Sequence, residues 1–260
     1  MSLHHFFLED QVLADEGDAV FPLRLAADDL KHAHVLRLQP GEHVAVVDAA
    51  SDYFECEVVS FDADGMTVRI ASKLDAPARP HVVLLQGIAK GEKMDQVVRH
   101  ATELGVSGIV PLACERSIVK LDAKKAASRT QRWRAIAKSA AMQAGLAAMP
   151  EVSEPLTVRE ASHALAGATA VLVFWEEAPL DAKIAPALAD ALGACGCADA
   201  ADARVAVVVG PEGGLTSREV ALFQEACPRT HVVTLGPSIL RTETAGVVAP
   251  ALVLYELEGR

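Results

Sequence analysis

The chain has 260 residues, 51% of them apolar, which allows one or two domains with a substantial core. A formal net charge of −11 at pH 7 argues against indiscriminate nucleic-acid binding. No apolar run approaches the roughly 18 residues needed to span a bilayer, and Met1-Ser2-Leu3-His4-His5 lacks the charged-then-apolar layout of a signal peptide.

Residues 1–74 read as short strands around one helix. Val44-Ala45-Val46-Val47 follows the turn signal Pro40-Gly41, Phe54 to Val58 alternates, and Met66 to Ile70 alternates after Asp64-Gly65. This spacing predicts a small β-barrel. Asp28 to Leu38 is the helical stretch. Its His32, His34 and Arg37 are either phosphate contacts or surface residues. Asp75-Ala76-Pro77-Ala78-Arg79-Pro80 reads as a linker, because its prolines block helix and ladder alike.

From residue 80 to 260 strands alternate with helices, the signature of a mostly parallel sheet. Val82 to Leu85 is a buried-type strand. Met94 to Leu104 is an amphipathic helix, Ile109 to Leu112 a strand, Ala126 to Ala148 a long helix and Val171 to Phe174 a strand. Cys195 to Ala203 reads as a loop. The five cysteines, Cys56, Cys114, Cys195, Cys197 and Cys227, are odd in number and scattered, which fits a reducing cytoplasm. Cys195-Gly196-Cys197 has no second Cys/His pair at zinc spacing, so no metal site is expected.

Charge is distributed unevenly. Residues 1–75 hold 5 Lys+Arg against 15 Asp+Glu, residues 76–150 hold 12 against 5, and residues 151–260 hold 7 against 15. In the basic middle, Arg116, Lys120, Lys124, Lys125, Arg129, Arg132, Arg134 and Lys138 are opposed only by Asp122. This is either a footprint for a polyanion or a solvated helix face. Trp133 within it is either packed or poised to stack on a base.

Near the C-terminus two apolar strands each run into a glycine-centred loop. Val205 to Val209 enters Gly210-Pro211-Glu212-Gly213-Gly214. Val232 to Leu235 enters Gly236-Pro237-Ser238-Ile239-Leu240-Arg241-Thr242-Glu243-Thr244-Ala245. Ligands bind outside the carboxyl ends of strands in open parallel sheets, so two adjacent exits predict one pocket. Thr216 with Glu219 forms a capping box that starts a helix after the first loop. A final helix, Glu243 to Leu257, contains Pro250, which predicts a kink. Neither loop matches a phosphate-binding glycine motif.

These two loops resemble the C-terminal signatures of the RsmE family, the small-subunit rRNA uridine-N3 methyltransferases of the SPOUT superfamily. Gly91-Glu92-Lys93-Met94-Asp95, Thr102-Glu103-Leu104-Gly105-Val106, Glu115-Arg116-Ser117 and Val35-Leu36-Arg37-Leu38 extend the resemblance over nearly the whole chain. It implies a PUA-like, RNA-binding barrel over 1–74 and an α/β SPOUT domain with a trefoil knot over 80–260. It also implies S-adenosyl-L-methionine as donor, a homodimer, and action on 16S rRNA of the small ribosomal subunit in the cytoplasm. Carried over by motif, the cofactor contacts are Gly210, Pro211, Glu212, Gly213, Gly214, Leu235, Gly236, Ile239, Leu240, Arg241, Thr244 and Ala245, with the strand end near Leu172 to Glu176, Leu172 included, as a third wall. Arg241 is the expected cation beside the uracil oxygens, and Glu212 or Glu243 the proton acceptor. RNA contacts are expected from Arg37, Lys90, Lys93, Arg116, Lys120, Lys124, Lys125, Arg129 and Arg132. The chain departs from the pattern where an arginine is expected near Leu146, and where His5 stands before Phe6-Phe7 in place of arginine. Ribose 2′-O-methylation and non-catalytic RNA binding are the alternatives.

Overall fold

The computed structural model describes residues 3–63 and 65–259. Met1 and Ser2 of the opening segment and Asp64 of the expected turn lie outside the described residues. Contacts divide the chain into two units, Met1–Pro77 with Lys138–Met149, and Ala78–Ala137 with Pro150–Arg260.

The first unit holds strands β1 (His4–Phe7), β2 (Phe21–Pro22), β3 (His43–Val47), β4 (Tyr53–Phe61) and β5 (Met66–Leu74), with helix α1 (Ala27–Leu36). They form one mixed sheet in the order β1-β3-β4-β5-β2, with β1 parallel to β3 and the other pairs antiparallel. β1 and β2 are the edges, and no pairing joins them among the described residues. Register shifts at Glu55/Cys56 and Val58/Ser60 mark irregularities of the kind that coil a sheet. The alternating residues of β4, Phe54, Cys56 and Val58, enter a core with Phe6, Leu13, Val44, Val46 and Met66. Ala141 and Met142 complete that core, so residues 138–149 belong to this unit.

The second unit is built on a parallel sheet. Its strands are β6 (His81–Gly87), β7 (Gly108–Ala113), β8 (Glu151–Val152), β9 (Leu156–Thr157), β10 (Ala170–Phe174), β11 (Arg204–Val209) and β12 (Thr230–Val233). The order is β12-β10-β11-β6-β7-β8, with β9 also on β7, and every pair is parallel. The fold is therefore mixed α/β with a parallel sheet. Its central strands are apolar on both faces, as a sheet covered on both sides requires.

Helices α2 (Lys93–Glu103), α4 (Val158–Ala164), α5 (Ile184–Cys195), α6 (Ser217–Ala226) and α7 (Thr242–Glu258) belong to this unit, and α3 (Ala123–Ala144) begins in it. Strands β1 and β2, helices α4 and α5 and the short β8 and β9 have no counterpart in the sequence reading. The long helix stops four residues before its expected end. Gly145 adopts φ 67° there, and the Leu146 N–H returns to the Ala141 carbonyl at 3.0 Å, a left-handed termination that glycine permits. α7 continues through the buried Pro250 without a break in helical assignment.

Candidate active site

Because the sheet is parallel, the carboxyl ends of β10, β11 and β12 open on one side. The two glycine loops are not on adjacent strands as expected: β10 lies between β11 and β12. Its exit supplies the third wall. Together the three exits bound a cavity of about 550 Å3 lined by Phe174 to Glu176, Leu180, Val209 to Gly214, Thr234 to Thr242, Ala245 and Lys93. Of the strand end expected as that wall, Phe174, Trp175 and Glu176 line the cavity, while Leu172 is fully buried in the core and off the lining. Thr244 also lies off the lining and is exposed on the first turn of α7, while Ala245 is on it.

The β11 loop is held from several directions. Thr242, the first residue of α7, donates its hydroxyl to the Gly210 carbonyl at 2.7 Å and accepts from Gln86 Nε2 at 2.9 Å. Arg116 Nη1 donates to the Gly213 carbonyl at 3.3 Å, and Trp175 Nε1 to the Leu215 carbonyl at 3.1 Å. The Thr216–Glu219 capping box forms as expected and starts α6. Glycine is required at two positions. A Cβ on Gly213 would strike the backbone carbonyl and Cβ of Arg116, and Gly214 has φ 71° with the Glu176 carboxylate packed against it. Gln86, fully buried at the end of the Val82–Leu85 run, was missed by sequence reading; a lone amide closing an apolar strand is its signal.

The β12 loop is looser. Thr234 bonds Gly236 through both its hydroxyl and the Gly236 N–H, and Thr234 N–H reaches the Ala182 carbonyl. Beyond them Pro237, Ser238 and Ile239 are exposed, Ile239 at 87%. Arg241 caps α7 in extended backbone conformation with its side chain exposed.

Between the loops sits an ionic cluster. Lys93 Nζ lies 2.9 Å from Glu243 Oε2 and 3.5 Å from Glu212 Oε1, and the Lys90 N–H donates to Glu212 Oε1 at 3.1 Å. Glu212 Oε2 is buried without a hydrogen-bond partner among the described residues. The bond to Glu243 raises the Lys93 pKa. Burial alone would raise that of Glu243, but its own backbone N–H, Lys93 and Arg241 together hold it below the usual carboxylate value.

The basic stretch is less free than its composition implies. Arg132 forks onto buried Asp95 at 2.9 and 2.6 Å, and Trp133, 1% exposed, donates Nε1 to the other Asp95 oxygen at 3.1 Å, so the indole is packed. Arg134 bonds the Val152 carbonyl, and Lys120 the Cys114 and Glu115 carbonyls. Lys125 pairs with Asp122 at 3.2 Å. Lys138 is held by Asp29 at 2.8 Å and Glu9 at 2.9 Å, both inside the first unit. Lys90, Lys124 and Arg129 are exposed with no side-chain partner among the described residues, and so is Arg37 in the first unit, at a left-handed φ of 56°. His5 is buried, bonded to Tyr53 Oη at 2.8 Å and the Leu3 carbonyl at 3.0 Å, and burial lowers its pKa. Its ring is therefore neutral at pH 7 and structural. Leu146 packs against the first unit's core.

A parallel α/β sheet with a loop-walled cavity at three neighbouring strand ends is the arrangement of a small-ligand-binding enzyme domain. Residues 77–254 match the family described as RNA methyltransferase domain. The chain is 32% identical over 223 residues to the ribosomal RNA small subunit methyltransferase E of Mycobacterium bovis, covering 84% of this chain and 79% of that protein. The enzyme of the same name from Bacillus subtilis is 30% identical over 241 residues, 90% of each. A crystal structure of the Neisseria gonorrhoeae protein of that name, bound to S-adenosyl methionine, aligns with TM-score 0.76 at 27% identity over 96% of both chains. A Legionella pneumophila putative methyltransferase, also with bound S-adenosyl methionine, aligns with TM-score 0.72 at 26% identity over 97% of both. The chain belongs to the ribosomal RNA small subunit methyltransferase E family.

Proposed function

We propose that the protein transfers a methyl group from S-adenosyl-L-methionine to N3 of a uridine in 16S rRNA. The observation that carries this reading is the cavity at the ends of β10, β11 and β12. Its volume lies in the range of about 300–1,000 Å3 usual for small-molecule sites. Its walls suit an adenosyl group, with apolar Phe174, Leu235 and Leu240 beside glycine backbone and one unpaired carboxylate oxygen. Gly210 to Gly214 and Leu235 to Ala245 wrap the cofactor.

When bound, the cofactor supplies an electrophilic methyl on a sulfonium; the S–CH3 electron pair stays on sulfur as the uracil N3 pair forms the new bond. Holding donor and acceptor in line contributes about 7–11 kcal/mol of such a barrier. The N3 proton must leave, and charge spreads onto O2 and O4. Arg241, exposed at the cavity lining and permanently charged, stabilises those oxygens. Glu212 or Glu243, both beside the Lys93 ammonium, accepts the proton. N3 lies on the pairing edge, so the uridine enters unpaired or flipped. Lys90, Lys124 and Arg129 hold flanking phosphates, and the paired Arg132 contributes less.

In this reading the first unit is a PUA-like barrel that binds RNA, residues 80–260 apart from the 138–149 segment are a knotted SPOUT domain, and the protein acts in the cytoplasm. It works as a homodimer, supported by the apolar stripe of Leu252 and Tyr255 exposed on α7. Sedimentation of the free protein checks the dimer. The function is tested by incubating the protein with labelled cofactor and undermodified small-subunit particles, then digesting the RNA. Label in 3-methyluridine is expected; label in a 2′-O-methyl nucleoside, or none, overturns it.

A further inference from the structure

The ionic cluster between the loops is unbalanced, and the imbalance faces the cavity. Three carboxylates, Glu176, Glu212 and Glu243, stand at or beside its wall, against two cations, Lys93 and Arg241. Lys93 divides itself between two carboxylates and lies closer to Glu243. Glu212 keeps only a 3.5 Å contact with the ammonium and a backbone N–H on Oε1. Its second oxygen is buried and makes no hydrogen bond among the described residues; the same holds for Glu243 Oε2, but that oxygen has the ammonium at 2.9 Å. A buried carboxylate oxygen without a donor is costly unless a ligand provides one or brings a positive charge.

Chemistry at the site changes one charge. S-adenosyl-L-methionine carries an ammonium, a carboxylate and a sulfonium, for a net charge of +1. Loss of the methyl leaves the S–C electron pair on sulfur, and the thioether product has net charge 0. We propose that Glu212, under-compensated by Lys93, makes this site select its cofactor by charge, binding the cationic sulfonium form more tightly than the neutral thioether and so favouring release of the spent cofactor. This rests on the cofactor reading above and assigns Lys93 a new part: a positioning residue that attenuates Glu212, in place of the phosphate contact its motif implied. No direct contact between Glu212 and sulfur is needed, because an incompletely compensated charge in a partly buried wall acts over several ångströms.

Isothermal titration of the full-length protein with S-adenosylmethionine and S-adenosylhomocysteine, in the absence of RNA, tests it. Wild type is expected to bind the sulfonium form more tightly. Glu212→Gln should narrow the affinity ratio by about tenfold, the scale of one charge-assisted interaction, mainly by weakening the sulfonium form. Lys93→Met removes the competing cation and should widen the ratio. These opposite signs keep the test decisive if one variant fails to fold. A Glu212→Gln protein that loses affinity for both ligands equally, or for neither, overturns the proposal, as does a Lys93→Met protein with a narrowed or unchanged ratio. Failure of wild type to bind either ligand would remove the cofactor reading itself.

Discussion

The two glycine loops look alike in sequence and are built differently. The β11 loop is gripped by Thr242, Arg116, Trp175 and the packed Glu176, each from a different element. The β12 loop is tied mainly to itself through Thr234, and it carries Ile239 out to 87% exposure. The comparison separates a platform braced by several elements from a flap braced mainly by its own hydrogen bonds.

Four variants sharpen or break that contrast. The largest effect is expected at the junction of flap and chemistry: Arg241→Ala should lower turnover by about 10²-fold or more with cofactor affinity largely kept, as loss of a charge-stabilising group does. Single-turnover methylation at saturating cofactor checks it, and near-normal rates would reassign Arg241. On the platform, Gly214→Ala forces a left-handed residue against Glu176 and should cost about 1–3 kcal/mol of stability together with cofactor binding. A denaturant melt and a titration read both; an unchanged midpoint would mean the platform is as pliable as the flap.

Away from both loops, the double reversal Lys124→Glu with Arg129→Glu should weaken RNA binding and flatten its salt dependence while cofactor affinity stays constant. Equal RNA affinity would move the footprint elsewhere. The smallest effect is expected at the flap itself. Ile239→Ala should weaken cofactor binding a few-fold, on the order of 1 kcal/mol, with no change in melting temperature, because the side chain is almost fully exposed in the free protein. A lowered melting temperature would show that the flap is packed after all.

Much of this was legible in the residues. Short apolar runs rich in β-branched residues located β6, β7, β10, β11 and β12, glycine marked the ends of β6, β11 and β12, and Thr216 with Glu219 located the start of α6. The alternation in β4 and β5 identified their buried face. These signals are local: strand period, capping chemistry and turn residues act within a few positions of the chain. The motif resemblance added the family, whose match spans residues 77–254.

What sequence could not contain is which segments meet. Placement of β10 between β11 and β12 is a matter of sheet order, and the depth of the cavity decides that Phe174 through Glu176 line it while Leu172 is buried in the core. The basic run looked uniform, yet Asp95, Val152, Asp29 and Glu9, all distant in sequence, occupy Arg132, Arg134 and Lys138. Lys93 read as a cation for RNA until two carboxylates from separate loops closed on it. Periodicity specifies which face of an element is apolar, but a charge acquires its role from partners, and partners are chosen by the packing of the whole domain.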